Sequence, residues 1–395
     1  MKVLLVNVRI GSGSVGKIVS DLYHGLVKAG HECRIAYGRG GTGDVPVVHT
    51  YKICSENEVK IHAGLTRLLG NTAFYFSRTT EKFCEWIDEF KPDIVHLHGV
   101  YGYYVNMETL FNYLSRRKIK VVSTLHSCWD FTGHCCYFDY IGCDEWKRGC
   151  KSCPSKGSYP ASSFLDDTGR NFVKKMNAYA QIDNCVIVTP SDWLATYVRQ
   201  SFLKQCKIRV INNGIDLNVF KVSSKASKYI DSLRPSIICV ANIWDKRKGW
   251  ADVVELSKLV DESLQLIVVG VTEKQKNELA KHTVAFTRTN DREELAELYS
   301  NATVFFNPTY EDNYPTVNLE AAACHTPIVT YDTGGSPEVF HFGDWGQIIE
   351  KKDYQALLCF VKMVFRKQIN FSFDNVKMLS EKRMVNEYLQ LYTEI

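Results

Sequence analysis

Residues 2–18, KVLLVNVRIGSGSVGKI, decide the fold. An almost unbroken apolar run passes into a glycine cluster and then into an amphipathic helix from about Gly16 to Lys28. A strand that is apolar on both faces is covered on both faces, which is the condition of strands in a buried parallel sheet. Working outward, ECRIAYG, DIVHLH, IKVVSTLH and CVIVTP repeat this strand character with helical stretches between them. After the polar stretch KVSSKASKYIDSLRP (221–235) the rhythm restarts with SIICVAN, LQLIVVG, VAF, TVFF and TPIVTY. The pattern predicts an α/β protein of two Rossmann-like, doubly wound domains, at 1–222 and 223–373. A last helix, 374–395, is expected to cross back onto the first domain. Open α/β sheets bind ligands at the carboxyl ends of their strands, so the active site is expected in a central cleft that the two domains face.

Composition narrows the partners. At ~100 to 200 residues per domain, 395 residues suit two or three domains. Lys plus Arg exceeds Asp plus Glu by 48 − 44 = 4, too small a surplus to argue for nucleic acid. The first apolar run stops at Arg9, short of the core of a secretion signal, and no apolar run reaches about 18 residues. A cytoplasmic location follows as the expectation. Fourteen cysteines then sit in a reducing compartment, where thiols stay free or bind metal, and six of them fall between Cys128 and Cys153.

Two stretches suit a phosphorylated ligand. Gly11, Gly13 and Gly16 allow close backbone approach at a helix N-terminus, where an anion or a sugar fits. An NAD-binding reading needs an acidic residue at the end of the second strand, but that strand ends Ala36, Tyr37, Gly38, Arg39. In TYEDNYPTVNLEAAACHTPIV (309–329), Glu320 interrupts an apolar helix with Thr316 one turn earlier. Glutamate is rarely buried among alanines without a partner, and a carboxylate there can accept two hydrogen bonds from a ribose diol.

With Asp312 and Glu320 this segment resembles the carboxylate–seven residues–carboxylate signature of retaining glycosyltransferase family 4, a family of GT-B fold. GSVGKI, DIVHLH, HLHGVYGYYVN, STLHSCWDFTGHC, TPSDWL, VINNGIDLNVF, DKRKG and DTGGSPEVF agree with it in order and spacing. The resemblance covers nearly the whole chain and is greatest to bacterial enzymes that build capsular, exopolysaccharide or lipopolysaccharide glycans. It implies transfer of a sugar from a UDP- or GDP-sugar to a glycan or lipid-linked acceptor. A sugar-nucleotide epimerase and a catalytically silent sugar-nucleotide binding protein are the alternatives.

Carried over by position, the resemblance makes His126, Asp312, Glu320 and Lys248 the catalytic set. Glu320 takes the ribose and Asp312, where many members have Glu, faces the donor sugar with Glu311 beside it. Lys248 meets the pyrophosphate, with Arg247 the nearest substitute for a missing family arginine. Gly13, Gly16, Asn313, Tyr314, Thr316 and Val317 complete the donor side. His98 and the aromatic run Tyr101, Tyr103 and Tyr104 form the acceptor-side candidate, with core packing as the alternative. No Asp-x-Asp pair occurs, so no catalytic cation or other cofactor is expected, and fixed protein charge must neutralise the diphosphate.

Two features stand outside that scheme. Between Lys60 and Lys82, Arg67 and Arg78 mingle with Leu68, Leu69, Phe74 and Phe76, a pattern for peripheral contact with the inner face of the cell membrane or for an ordinary solvated helix. Cys135, Cys143, Cys150 and Cys153 form C-x7-C-x6-C-x2-C, suited to a structural zinc ion closing a loop too poor in apolar residues to hold itself. An iron–sulfur cluster and free thiols are the alternatives, and Cys128, Cys136 and His134 are the alternate ligands.

Overall fold

The computed structural model describes residues 1–395 and divides into two compact units, Met1–Asn212 with Met384–Ile395, and Asn213–Arg383. The first unit holds strands β1 (Lys2–Asn7), β2 (Glu32–Tyr37), β3 (Thr50–Lys52), β4 (Ile94–Leu97), β5 (Lys120–Thr124), β6 (Cys185–Thr189) and β7 (Lys207–Val210). They form one parallel sheet in the order β3-β2-β1-β4-β5-β6-β7. The second unit holds β8 (Ser236–Val240), β9 (Gln265–Val269), β10 (Val284–Phe286), β11 (Val304–Asn307), β12 (Ile328–Tyr331) and β13 (Gly346–Ile349). Their order, also parallel, is β10-β9-β8-β11-β12-β13.

The continuous apolar runs have their cause in this layering. Along β1, Leu4 and Val6 enter one core while Val3 and Leu5 enter the other. Along β8, Ile238 and Val240 face one layer and Ile237 and Cys239 the opposite one. Both faces of each sheet are therefore covered, and neither admits polar alternation. The strand order reverses between β1 and β4 in the first unit and between β8 and β11 in the second. Loops splay apart at such points and leave a place for a ligand.

The division falls at 212/213, ten residues before the 222/223 expected from the sequence. The segment after β7 already belongs to the second unit: Ile215 and Phe220, and Ile230 within the polar stretch, are buried in its core, and Ile215 bridges to Ser380. The final helix starts at Glu381, not at 374, and a 3-10 turn at Val376–Leu379 precedes it and buries Leu379. From Met384 onward it lays Met384, Val385, Tyr388, Leu391 and Tyr392 into the first core. No helix is long and apolar enough to cross a membrane.

Candidate active site

At the reversal point of the second sheet two loops meet. The loop after β8 carries Arg247 and Lys248, and the loop after β11 carries Asp312. Lys248 Nζ donates to Asp312 Oδ2 in a close ion pair, and Arg247 Nη1 stands 3.9 Å from the same oxygen. Arg247 also donates to the Glu311 backbone carbonyl at 2.5 Å, and its own carbonyl accepts from the Tyr310 N–H at 2.7 Å. Burial alone pushes the Asp312 carboxyl up, but Lys248 and Arg247 beside it outweigh that and hold it below its ordinary value. Asp312 is therefore an anion held between two cations.

A third loop holds Asp312 from behind. Gly335 N–H donates to the Asp312 carbonyl at 2.9 Å, and Thr333 Oγ1 donates to the Thr309 carbonyl at 2.5 Å. Gly334 has φ +60°, and a Cβ there would lie 2.2 Å from the Asp312 oxygen, so no side chain fits. The glycine pair in DTGGSPEVF is thus the sequence signal for a support that inspection of single residues overlooked.

Next to Asp312 begins the helix Thr316–Ala323, whose first N–H groups have no partner within the helix, an arrangement that suits an anion. Asn313 and Tyr314 are buried on the approach to it, and Pro315 occupies its N-cap. Asn318 locks this helix to the sheet, accepting from Asn307 at 2.7 Å and donating to the Ser336 carbonyl at 2.9 Å. Thr316, Val317 and Glu320 are partly buried. Burial pushes the Glu320 carboxyl up to about 7, against the opposing pull of Arg292 and the hydroxyls of Thr316 and Tyr299. Arg292 and Tyr299, on a neighbouring helix (Arg292–Asn301), carried no signal in the sequence because their proximity to Glu320 is tertiary.

In the first unit, Gly11 and Gly13 adopt left-handed backbone after β1, and Gly13 faces open space. Gly16 is different, for a Cβ there would stand 3.3 Å from the Arg9 carbonyl, so it serves close packing of the turn. His98 follows β4 directly and His126 follows β5 by two residues. His126 Nε2 lies 3.1 Å from His98 Nδ1. Behind them His96 is fully used, its Nδ1 paired with the Tyr392 hydroxyl at 2.5 Å and its Nε2 with Thr124 at 2.7 Å. Burial pushes His126 down to about 4 and His98 well below the usual histidine range, so both rings are neutral at pH 7.

The aromatic run divides. Tyr104 is buried, with its hydroxyl donating to the Gly99 carbonyl at 2.7 Å, and Tyr103 is also buried in the first core. Both pack in the core, in agreement with the alternative of core packing. Tyr101 remains partly exposed and accepts from the Ser127 hydroxyl at 3.1 Å. The segment between Lys60 and Lys82 divides as well: Phe74 is buried, whereas Leu68 and Leu69 are exposed.

The geometry defines a class of protein before any name does: two Rossmann-like units, the second with a cationic loop facing a helix N-terminus at its reversal point. Solved structures place this in the GT-B fold. The Anabaena protein Alr3699/HepE, solved in complex with UDP-glucose, superposes with a TM-score of 0.65 at 13% identity over 100% of both chains. The family description "Glycosyltransferase Family 4" matches residues 15–219, and "Glycosyl transferases group 1" matches residues 234–364. The chain belongs to glycosyltransferase family 4 and is a glycosyltransferase. Among its relatives is WcaC of Escherichia coli (strain K12), a glycosyl transferase assigned to colanic acid biosynthesis, 23% identical over 418 residues and matched along 100% of both chains. Another, from Campylobacter jejuni, is the N,N'-diacetylbacillosaminyl-diphospho-undecaprenol alpha-1,3-N-acetylgalactosaminyltransferase. It is 23% identical over 220 residues, which are 51% of this chain and 58% of that one.

Proposed function

We propose that this glycosyltransferase moves a sugar from a UDP- or GDP-sugar to a lipid-linked glycan in surface polysaccharide synthesis, with retention of configuration and without a catalytic metal ion. The observation that carries the reading is the Lys248–Asp312–Arg247 cluster beside the N-terminus of the helix Thr316–Ala323, with Glu320 one turn further in. On this reading Glu320 accepts from the ribose hydroxyls. The diphosphate takes Lys248 away from Asp312 and lies against the helix N-terminus, and Asp312, released, accepts from the donor sugar. The acceptor hydroxyl oxygen replaces the phosphate oxygen at the anomeric carbon on the same face, and its proton passes to that departing phosphate oxygen. The negative charge left on the diphosphate is met by Lys248, Arg247 and backbone N–H groups that are already in place.

The first unit supplies the acceptor side through His126 and Tyr101. Peripheral membrane contact is assigned to the exposed Leu68 and Leu69 with the neighbouring Phe164 and Leu165. The names of the relatives support the acceptor class, and the UDP-glucose complex of the Anabaena protein supports the donor class. A thermal-shift screen of nucleoside diphosphate sugars tests the donor. A ligand at a hundred times its dissociation constant stabilises the fold by about 2.7 kcal/mol, and no stabilisation by any UDP- or GDP-sugar would refute the reading.

A further inference from the structure

Residues 127–167 contain no α-helix and no β-strand, only three 3-10 turns, the longest such stretch in the chain. Uninterrupted irregular stretches of this length are uncommon unless something else holds them. Part of the answer is aromatic: Trp129, Phe131, Phe138 and Trp146 are buried in the first core, so the loop is richer in apolar anchors than its sequence suggests. The remainder of the loop turns on its cysteines, none of which is in a disulfide.

Two of these thiols arrive by the same local device. The turn Asp139–Ile141 ends in Gly142 at φ +64° and delivers Cys143, whose N–H donates to the Phe138 carbonyl at 3.1 Å. The turn Glu145–Arg148 ends in Gly149 at φ +99° and delivers Cys150, whose N–H donates to the Glu145 carbonyl at 2.9 Å. A left-handed glycine closing a turn fixes the direction of the residue after it. Cys153 then follows Cys150 at the spacing of a two-thiolate clip, and its thiol is hydrogen-bonded to that of Cys135.

Backbone donors point at three of the four sulfurs. The N–H of Glu145 donates to Cys143 sulfur, that of Ser155 to Cys153 and that of Gly133 to Cys150. The Gly133 contact needs glycine, because a Cβ there would lie 2.8 Å from Cys150 Cβ and 2.4 Å from the Thr168 carbonyl. Burial outweighs these donors at Cys143 and Cys150 and pushes both thiols up, so their thiolates form only with the charge of an ion beside them. A buried lysine stands near as well, pushed down to about 7 by burial against the opposing pull of Asp130. Lys175, fully buried, donates to the Trp129 carbonyl at 2.6 Å and the Thr132 carbonyl at 3.0 Å, and its charge acts on Cys150 and Cys153. Four thiolates on one divalent ion carry a net charge of 2 − 4 = −2, which favours the charged form of this lysine.

We propose that Cys135, Cys143, Cys150 and Cys153 bind one zinc ion, which fixes the loop that follows His126. Of the alternates, His134 Nε2 faces the Lys156 carbonyl at 3.2 Å and Cys136 lies towards Tyr101, Tyr103 and Tyr159, while Cys128 stays near Cys135. The set is open, since no three of the four sulfurs lie within 4.8 Å of one another, and closing it takes side-chain rotation driven by the ion. The role is structural, because a four-thiolate site leaves no open position for substrate.

The test uses the full chain purified without a metal-affinity tag. Elemental analysis should find about one zinc per chain. Exchange to cobalt should give a thiolate-to-cobalt charge-transfer band with the ligand-field bands of a tetrahedral ion. An organomercurial should release the zinc in step with modification of about four thiols, a measurement that needs no variant to fold. Cys150→Ser with Cys153→Ser should lose both zinc and the cobalt spectrum. A folded, metal-free chain that takes up no cobalt, iron with sulfide in place of zinc, or zinc retained by the double variant would each overturn the site. A metal-free chain that still transfers sugar overturns the zinc site and leaves the proposed function standing, whereas a zinc-loaded chain that binds no nucleotide sugar does the reverse.

Discussion

His98 Nδ1 faces His126 Nε2 at 3.1 Å, with the two rings stacked 17° from parallel. His98 Nε2 is buried and has no hydrogen-bond partner. A buried N–H without an acceptor is the rarer and costlier orphan, so the neutral ring carries its proton on Nδ1 and donates it to His126. His126 Nε2 is then the acceptor, and its own proton sits on Nδ1, which on the proposed function donates to a substrate oxygen.

The consequence is testable by substitution. His98→Leu removes the donor that sets the His126 tautomer, and kcat should fall roughly 10- to 100-fold, as expected for ~1 to 3 kcal/mol, with KM for the donor little changed. His98→Asn keeps an N–H near the Nδ1 position and should recover much of the loss. Nitrogen NMR of the imidazoles should report the proton of His126 on Nδ1 in the parent chain. Equal loss in both variants would reduce His98 to a packing residue.

Glu320 gives a prediction with a sign fixed by its environment. Its carboxyl titrates near 7 in the free protein because burial disfavours the charge, so at neutral pH a substantial fraction is protonated. Ribose hydroxyls donate to the charged form, so donor binding should expel a proton and should strengthen as pH rises through about 7. Calorimetry in buffers of different ionisation enthalpy measures the released proton directly. Glu320→Gln should abolish the proton release and weaken binding by ~1.5 to 3 kcal/mol without unfolding the chain. Donor affinity unchanged by the substitution would remove Glu320 from the ribose site.

What the sequence disclosed, and what it hid, follows from the range of the interactions involved. The strands were legible because burial on both faces leaves a continuous apolar mark, and Glu320 because a carboxylate among alanines is anomalous. The unit boundary was displaced because the compositional break comes only at Lys221, whereas Ile215 and Phe220 before it are already anchors of the second core, an assignment made by tertiary contacts. Tyr103 and Tyr104 stayed open because tyrosine serves equally as a core ring and as a sugar platform, a choice made by tertiary contacts. Lys175 gave no signal, since its carbonyl partners Trp129 and Thr132 are more than forty residues away.

The ion pair of Lys248 with Asp312 predicts opposite effects on binding from its two members. Lys248→Met should weaken UDP or GDP by more than about tenfold through loss of a charge-assisted contact, and should affect the nucleoside monophosphate much less. Asp312→Asn frees Lys248 for the diphosphate and should leave nucleotide affinity equal or higher while turnover collapses. Because protein charge serves the leaving group, transfer should survive excess chelator at short times. Immediate loss on chelation, restored by magnesium or manganese, would assign the diphosphate to a cation instead.

The exposed apolar side chains of the first unit carry the last prediction. Leu68 and Leu69 end the helix Glu56–Leu69, and the segment carrying Phe164 and Leu165 is fastened beside them, with Ser163 N–H donating to the Arg67 carbonyl at 2.7 Å and Leu165 N–H to the Leu68 carbonyl at 3.1 Å. Phe164 is 75% exposed, which leaves a large ring in water with no intramolecular return. Basic Arg67 adjoins the cluster, so an anionic bilayer offers both an apolar interior and a complementary surface. The parent chain should sediment with vesicles containing anionic lipid, less so at high salt. Phe164→Ser with Leu165→Ser should lower that binding by more than about tenfold, since burying each side chain contributes ~1 to 3 kcal/mol. Turnover on a water-soluble acceptor should be unchanged, because both side chains are exposed and stand at the opposite end of their loop, in sequence, from His126. A parent chain that ignores anionic vesicles at low salt would assign the cluster another role, and the lipid-linked acceptor would then have to reach the enzyme by a different face.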